Sequence, residues 1–261
     1  MTLEVRSVTD LLAAIEKTGI ATKPNAHVRL WLRGQKDKSW KLSPGVYRST
    51  FPANNDEAKR LWIERHLSQE FRIQSAGVLL ESRDDVALYF LQQHYKMPTR
   101  LLDWTTNPLA ALHFAVGDEK DSMVDGMLFI MDAYNLAVRQ KVPADVFRGI
   151  GTSRNRLFRK GLQPILDWND DLSLFPTFIM PVRPDHFERR VMLQKGCFTF
   201  HPPNKTSLTN KETETLVSCL VPSHSKPSIR RELALLGIDE FAVYGDLDSL
   251  AARLKFAYGI S

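Results

Sequence analysis

The sequence predicts a mixed α+β fold, and three observations support this prediction. Short apolar runs at 126–131 and 177–182 have the length and composition of buried strands. Segments such as 8–17 and 55–74 repeat apolar residues every three to four positions, which is typical of amphipathic helices. A chain of 261 residues, 43% of them hydrophobic, is also long enough to bury a sizeable core. We therefore expect a single domain over residues 1–261.

The first predicted strand covers residues 27–34, HVRLWLRG, where polar and apolar side chains alternate. It ends by presenting Arg33 next to Gly34, and Gln35 follows. Because Gly34 has no side chain, a ligand or another backbone segment can come close at this point. A guanidinium group beside such an opening is suited to binding a phosphate or a ribose, so Arg33 is a candidate ligand contact.

The most constrained part of the chain is residues 93–116, QHYKMPTRLLDWTTNPLAALHFAV. Residues 99–104 follow a proline and are predicted to form a short buried strand that carries Arg100 and Asp103. Buried charges are rarely unpaired, so we expect Asp103 to pair with Arg100 or Arg33, and loss of that pair to cost about 3 kcal/mol. Arg100 and Asp103 are thus either ligand contacts or a structural ion pair.

A helix is predicted to begin directly after this strand, with Asn107 as its N-cap and Pro108 as its first residue. The unpaired amide groups of a helix start attract anions, and the helix dipole adds partial positive charge. The hydroxyl groups of Thr105 and Thr106 add donors. The sequence therefore predicts an anion-binding helix start.

A further helix is predicted to begin at a capping box formed by Ser82 and Asp85. It would deliver His94 and Tyr95 to the same region. A lone histidine is more often structural than catalytic, and His94 has no carboxylate or cysteine at a recognisable catalytic spacing. Both roles stay open for His94.

The second half of the chain is predicted to contain a helical insertion around 135–175, between two buried strands. Further strands are predicted at 190–194, 197–201 and 241–244, and further helices at 229–236 and 247–254.

The composition argues against several classes of protein. Cys197 and Cys219 are the only cysteines and lack the spacing of zinc ligands, so we predict no metal site and two reduced structural thiols. The sequence has no apolar run long enough to span a bilayer, and residues 1–20 lack a signal-peptide core, which predicts a cytoplasmic protein without a membrane partner. The formal net charge of +5 permits a nucleotide or nucleic-acid partner without requiring one.

The densest basic segment is residues 148–160, RGIGTSRNRLFRK. A solvated surface is the usual explanation of such a charge run, and contact with phosphates is the alternative.

Three motifs, in this order, resemble the FRG domain, a family named for an aromatic-Arg-Gly motif. They are LRGQ…W.L.P..YR ending at Arg48, QHYKMPTRLLDWTTNPLAALHFA beginning at Gln93, and R…QKGCFTFH from Arg190. Leu32 stands where the family usually has Phe or Tyr, and Lys96 stands where Gly is common. The resemblance implies a single FRG-like domain.

A second resemblance is to ADP-ribosyltransferases of the Arg-Ser-Glu type, whose places are taken here by Arg33, Thr105 with Thr106, and Gln194. It implies a split, mostly antiparallel central sheet surrounded by helices, and it makes Gln194, Arg33 and Thr105 the catalytic candidates. NAD would be a substrate and no cofactor would be bound tightly. A neutral amide at Gln194 can orient a ribose hydroxyl but cannot stabilise developing positive charge. An NAD-hydrolysing enzyme and a dinucleotide-binding relative therefore stay open beside a transferase.

These observations give one functional hypothesis and one alternative. The hypothesis is recognition of NAD or another nucleotide with glycosidic-bond chemistry, in an effector of the toxin or defence type. The alternative is a non-enzymatic nucleic-acid or protein binding module that uses the basic segment. Besides the catalytic candidates, the expected ligand contacts are Gly34, Gln35, His94, Tyr95, Arg100, Asp103, Thr106 and Arg190.

Overall fold

The computed structural model describes residues 3–77, 84–118, 123–142, 156–184, 189–214 and 216–258. Its strands are β1 (Leu3–Glu4), β2 (Leu30–Gln35), β3 (Leu101–Thr105), β4 (Gly126–Asp132), β5 (Met180–Val182), β6 (Gly196–Phe200) and β7 (Val217–Val221). Its helices are α1 (Val8–Lys17), α2 (Ala26–Arg29), α3 (Glu57–Ser75), α4 (Asp85–His94), α5 (Pro108–Val116), α6 (Ala133–Arg139), α7 (Arg156–Leu166), α8 (Arg189–Leu193), α9 (Lys226–Leu235), α10 (Glu240–Tyr244) and α11 (Leu247–Ala257).

The strands form one mixed sheet in the order β1-β7-β4-β2-β3-β6-β5, with helices around it. β1 pairs with β7 in parallel, and the other neighbouring strands pair antiparallel. The predicted α+β class and mostly antiparallel sheet are therefore confirmed.

The sheet is nearly divided between β2 and β3. These strands share one register pair, Leu32 with Thr105, whereas β2 pairs with β4 over its whole length and β3 does the same with β6. Where β2 and β3 separate, Nη1 of Arg33 donates to the carbonyl oxygen of Asp103 at 2.7 Å. A side chain thus bridges the gap, and the gap opens onto the candidate site described below.

Helix α5 lies unusually close to the sheet because β2 carries Gly34. A Cβ atom at Gly34 would lie 1.9 Å from the carbonyl oxygen of Ala111 and 2.4 Å from the amide nitrogen of Ala115. The sequence allowed either a ligand or another backbone segment to come close at Gly34, and the structure has the second, because the backbone of α5 fills this space. The same close contact brings Leu32 against the apolar face of α5 in the main core.

Two core clusters cover the two halves of the sheet. One contains the inward side chains of α1, α5 and α9 with those of β2, β4 and β7, including Leu11, Leu32, Leu112, Ile130 and Ile229. The other packs α4 and α7 against β3, β5 and β6 and is rich in phenylalanine, including Phe90, Phe158 and Phe200. Each half thus has a core of its own. A further cluster joins the two halves, because it contains Trp31 of β2 together with Leu102 and Trp104 of β3.

Two predicted strands are helices. Residues 189–193 form α8 and residues 240–244 form α10, whose N-cap Asp239 accepts a hydrogen bond from the amide of Ala242. Segments of five residues fit both helical and strand periodicity, so the pattern at 190–194 and 241–244 could not decide between them. Both predictions were wrong.

Some element boundaries also differ from the prediction. The strand predicted at 27–34 begins at Leu30, since Ala26–Arg29 form the short helix α2. Helix α4 is capped by Asp84, which accepts from the amide of Ala87, while Ser82 lies outside the described residues. Between β4 and β5 the structure describes helices α6 and α7. Residues 143–155 of the predicted insertion lie outside the described residues.

Throughout the described ranges, the helices lack the length and apolar character needed to cross a bilayer.

Candidate functional site

A pocket with a volume of about 700 Å³ opens where β2 and β3 separate. Its floor comes from the strands and from α5, and its sides come from the segment 45–52, from α3 and α4, and from α8. Polar or charged lining residues are Arg33, Arg48, Thr50, Gln93, His94, Lys96, Asp103, Thr105 and Gln194, and large apolar ones include Phe51, Met97, Trp104, Phe114 and Phe198.

Arg33 lies deep in this pocket, with a side chain that is only 12% exposed. Its Nη1 donates to the carbonyl oxygen of Asp103 at 2.7 Å and lies 3.5 Å from the carboxylate of the same residue. In the amide orientation of Gln35 that satisfies both of its side-chain atoms, the oxygen accepts from Nε of Arg33 at 3.3 Å and the nitrogen donates to the carbonyl of Trp40 at 3.0 Å. Gln35 therefore holds Arg33 from behind and does not itself line the pocket.

Burial lowers the pKa of Arg33 below its ordinary value. The carboxylate of Asp103 opposes this shift and the charge of Arg48 adds to it. A buried guanidinium close to a second one attracts anions strongly. A bound anion would offset both the loss of hydration on burial and the repulsion between the two positive charges.

Asp103 pairs with Arg33, as one of the two expected pairings, but it is not buried. Its side chain is 53% exposed, and both carboxylate oxygens accept from Nε2 of Gln93 at 2.9 Å. A pair this open to solvent contributes little to stability. We therefore correct the expected cost of losing Asp103 from about 3 kcal/mol to less than about 1 kcal/mol.

Arg100 is a structural residue, in contrast to the ligand contact proposed from the sequence. It is fully buried, and it donates through Nε to Glu64 at 2.9 Å and through Nη2 to Glu57 at 2.7 Å. Nη1 donates to the hydroxyl of Tyr47. The pKa of Arg100 lies above its ordinary value: burial alone would lower it, but its neighbours, led by Glu64, outweigh that effect. The guanidinium is satisfied by the protein and does not line the pocket.

The start of α5 is also satisfied from within the protein. The side chain of Asn107 accepts from the amide groups of Leu109 at 3.1 Å and Ala110 at 3.5 Å. The hydroxyl of Thr105 donates to the carbonyl of Gln194 and accepts from the amide of Asn107. The predicted anion site at this helix start is therefore occupied by protein groups, which follows from the strong capping preference of asparagine.

Gln194 enters the pocket from the end of α8 and not from a strand. Its backbone carbonyl is fixed by Thr105, while its side-chain Nε2 is buried and meets no acceptor among the described residues. A buried donor without an acceptor costs free energy, so Nε2 of Gln194 is a candidate for a hydrogen bond to a ligand oxygen.

The remaining predicted residues are divided between the pocket and its surroundings. His94 lines the pocket and makes an edge-to-face ring contact with Tyr95, which is exposed and lies against Phe71. The amide of Thr106 donates to the carbonyl of Lys195 at 3.1 Å, and Thr106 is not among the lining residues. The side chain of Arg190 lies outside the described part of α8.

Four polar lining residues were not chosen from the sequence: Arg48, Thr50, Gln93 and Lys96. Arg48 ends one of the quoted motifs and Lys96 stands at a position where glycine is common, so both had a visible signal. Lys96 has φ 63°, in the left-handed region that favours glycine. What the sequence could not show is that both cations face the same pocket as Arg33.

A buried network holds Trp104 on the wall of the pocket. Its Nε1 donates to the hydroxyl of Thr199 at 3.1 Å, and that hydroxyl lies 2.9 Å from Nε2 of His201. Nδ1 of His201 lies 2.9 Å from the carbonyl of Lys205, which can only accept, so Nδ1 carries the proton and Nε2 accepts from Thr199. Burial lowers the pKa of His201 to about 4, which keeps the ring neutral.

The fold and pocket define an α+β protein with a cationic cavity at a break in its central sheet. Residues 28–123 match the family model of the FRG domain, and the chain therefore contains an FRG domain over this range. The match includes Arg33, Arg48 and Asp103 and ends before Gln194. No curated protein and no solved structure matches the chain.

Proposed function

We propose that the pocket between β2 and β3 binds a nucleotide of the NAD class, with Arg33 as the main contact to a phosphate. The observation that carries this proposal is the position of Arg33, buried on the floor of the pocket with a second arginine near it. Buried guanidinium groups are the usual partners of phosphates, because their paired donors match the phosphate oxygens.

The size and lining of the pocket support a ligand of this class. Its volume of about 700 Å³ falls within the range of about 300–1,000 Å³ typical of small-molecule sites. Phe51 and Trp104 offer apolar surface to a base, and Asp103 and Gln194 offer an acceptor and a donor to a ribose. Each chemical part of a nucleotide thus has a matching residue type in one cavity.

Binding, and not turnover, is the function that these groups support best. The amide of Gln194 carries no charge to stabilise a ribose cation, and the hydroxyl of Thr105 is engaged with backbone groups on both sides. In this proposal NAD is a ligand, and nicotinamide is not released at a significant rate.

Calorimetric titration with NAD, ADP-ribose and ATP tests the proposal. Arg33→Ala should weaken binding by about 1.5–3 kcal/mol, the range for a hydrogen bond to a charged group. Arg6→Ala is the matched control, because Arg6 is exposed and pairs only with nearby Glu4 among the described side chains. The same mixtures assayed for free nicotinamide report any turnover. If no ligand produces heat or a thermal shift at millimolar concentration, the nucleotide proposal is wrong.

The alternative, a nucleic-acid or protein binding module, depended on the basic segment 148–160. Residues 148–155 lie outside the described residues, and 156–160 form the first part of α7. Nothing in the described part of that segment favours the alternative over the pocket.

A further inference from the structure

We infer that Arg33 and Arg48 form a subsite for the pyrophosphate bridge of a nucleotide, and that the pocket prefers ADP-ribose, which has no cationic ring, to NAD⁺. This inference rests on the proposed nucleotide-binding function and adds the charge of the preferred ligand.

Arg48 supplies the second guanidinium of the subsite. It follows the helical turn Gly45–Tyr47 and lines the pocket from the exposed side. Its Nε donates to the carbonyl of Ser43 at 3.2 Å, and none of the described residues accepts a hydrogen bond from its terminal nitrogens. The head of Arg48 is therefore oriented by one bond and keeps its remaining donors for a ligand.

The single carboxylate among the described lining residues compensates only part of the positive charge of the pocket. Arg33, Arg48 and Lys96 are the arginines and lysines that line the pocket, and Asp103 is the one carboxylate among its described lining residues. The formal excess is two positive charges. A pyrophosphate bridge carries two negative charges and would balance it.

The start of α5 cannot bind the pyrophosphate, because the side chain of Asn107 already accepts from its free amide groups. Side-chain cations must therefore provide the phosphate contacts. Arg33 is a buried and Arg48 an exposed arginine of the same pocket lining, so the two can supply phosphate contacts at different depths.

Gln194 lines the same pocket and offers no negative charge to a cation. Gln194 presents a buried neutral amide whose Nε2 is a donor without an acceptor among the described residues. NAD⁺ carries a positive nicotinamide ring, which would meet an excess of positive charge and an amide donor. ADP-ribose ends in a ribose with hydroxyl oxygens, which can accept from this donor. Both effects favour the ligand without the cationic ring.

The test is calorimetric titration at low ionic strength with ADP-ribose, NAD⁺, NADH and inorganic pyrophosphate. NADH has nearly the shape of NAD⁺ without the ring charge, so this pair isolates electrostatics from shape. We expect ADP-ribose and NADH to bind about tenfold more tightly than NAD⁺, and the difference to shrink as salt is added. Arg48→Gln should weaken the binding of ADP-ribose and of pyrophosphate by about tenfold or more. Arg48→Lys should weaken their binding less.

Gln194→Glu and Gln194→Met form a second, matched pair of variants. The glutamate adds a carboxylate of the same shape and should shift the preference towards NAD⁺ by about tenfold, whereas the methionine removes the donor without adding charge and should leave NADH ahead of NAD⁺. Unchanged melting temperatures establish that the variants are folded. If Arg48→Gln does not fold, Arg48→Lys takes its place in the test.

Equal affinities for NAD⁺ and NADH, or full affinity for ADP-ribose and pyrophosphate in Arg48→Gln, would overturn the inference while leaving nucleotide binding intact. Binding of pyrophosphate that depends on Arg48, without binding of any nucleotide, would support the subsite and overturn the proposed function. Absence of binding by all four ligands would overturn both.

Discussion

Nε of Arg100 lies 2.9 Å from Oε2 of Glu64, and both side chains are buried within the FRG-matched part of the chain. The hydroxyl of Tyr89 donates to the second oxygen of Glu64 at 2.9 Å and accepts from the backbone amide of Arg100. Burial raises the pKa of Glu64, although Arg100 and Tyr89 both favour its charged form. Helix α3 and the residue directly before strand β3 are therefore joined by a buried ion pair, and the hydroxyl of Tyr89 bonds to both partners.

Glu64→Gln should destabilise the protein by about 3 kcal/mol, because it removes one of the two carboxylates that compensate the buried charge of Arg100, and the other, Glu57, also pairs with Arg60. The measurement is the free energy of unfolding in urea. Glu70→Gln, on the same helix, is the control, since Glu70 is exposed and bonded only to Gln74 at 2.9 Å among the described residues. A Glu64→Gln protein as stable as the control would mean that Glu57 alone compensates Arg100.

Gly34→Ala should destabilise the protein by about 3 kcal/mol, at the upper end of the cost of overpacking a core. The added Cβ would lie 1.9 Å from a backbone oxygen of α5, and backbone cannot rotate away as a side chain can. Gly196→Ala is the control within the same pocket, where the nearest atom is a Val191 methyl carbon at 3.4 Å. Similar unfolding free energies for the two variants would contradict the close contact of α5 with β2.

Asp103→Asn should change stability by less than about 1 kcal/mol, because the carboxylate is half exposed and its ion pair is screened. Asp132→Asn is the comparison. Asp132 is fully buried at the end of strand β4 and pairs with Arg29 at 2.6 Å and Lys23 at 3.2 Å, so its loss should cost about 3 kcal/mol or more. Thermal melts of the two variants distinguish them. A large loss of stability in Asp103→Asn, but not in Asp132→Asn, would support the buried ion pair that the sequence predicted for Asp103.

Stability should fall as the pH is lowered from about 6.5 towards 4, in part because of His201. Its pKa is about 4 in the folded protein against an ordinary value of 6.5, so the unfolded chain binds a proton in this range that the folded chain does not. The contribution is fully present above about pH 6.5, and its loss below pH 4 is on the order of 3 kcal/mol.

Unfolding free energies between pH 7 and pH 4 measure this dependence. His201→Gln should reduce the slope, because glutamine can still bond to Thr199 and Lys205 but does not titrate. His224→Gln is the control, since His224 is exposed. His113, whose pKa is lowered mainly by burial, contributes a slope of the same sign that remains in both variants. Equal slopes in the two variants would contradict the buried neutral state of His201.

The sequence determined the longer elements because their signals are local. Helix α1 is found at Val8–Lys17, where the apolar stripe predicted it, and α5 begins at Pro108 after its Asn107 cap. The apolar run at 126–131 is strand β4, extended by one residue. In each case the periodicity or the cap is complete within the segment itself.

The short segments were decided by tertiary structure. Residues 190–194 and 241–244 are too short for their periodicity to separate helix from strand, and both lie in elements that contact each other. Packing against the rest of the chain, which a local pattern does not contain, made both of them helical.

The site divides in the same way. The sequence singled out Arg33, Asp103, Thr105 and Gln194, and the structure places all four around one pocket. The sequence could not show that Arg100 is structural while Asp103, three positions later, lines the pocket. The carboxylates that pair with Arg100 belong to α3, which is distant in the sequence. The sequence also could not show that Arg48 and Lys96 face Arg33. Residue types fix which chemistry is available, but only the folded chain fixes which charges are neutralised internally and which remain for a ligand.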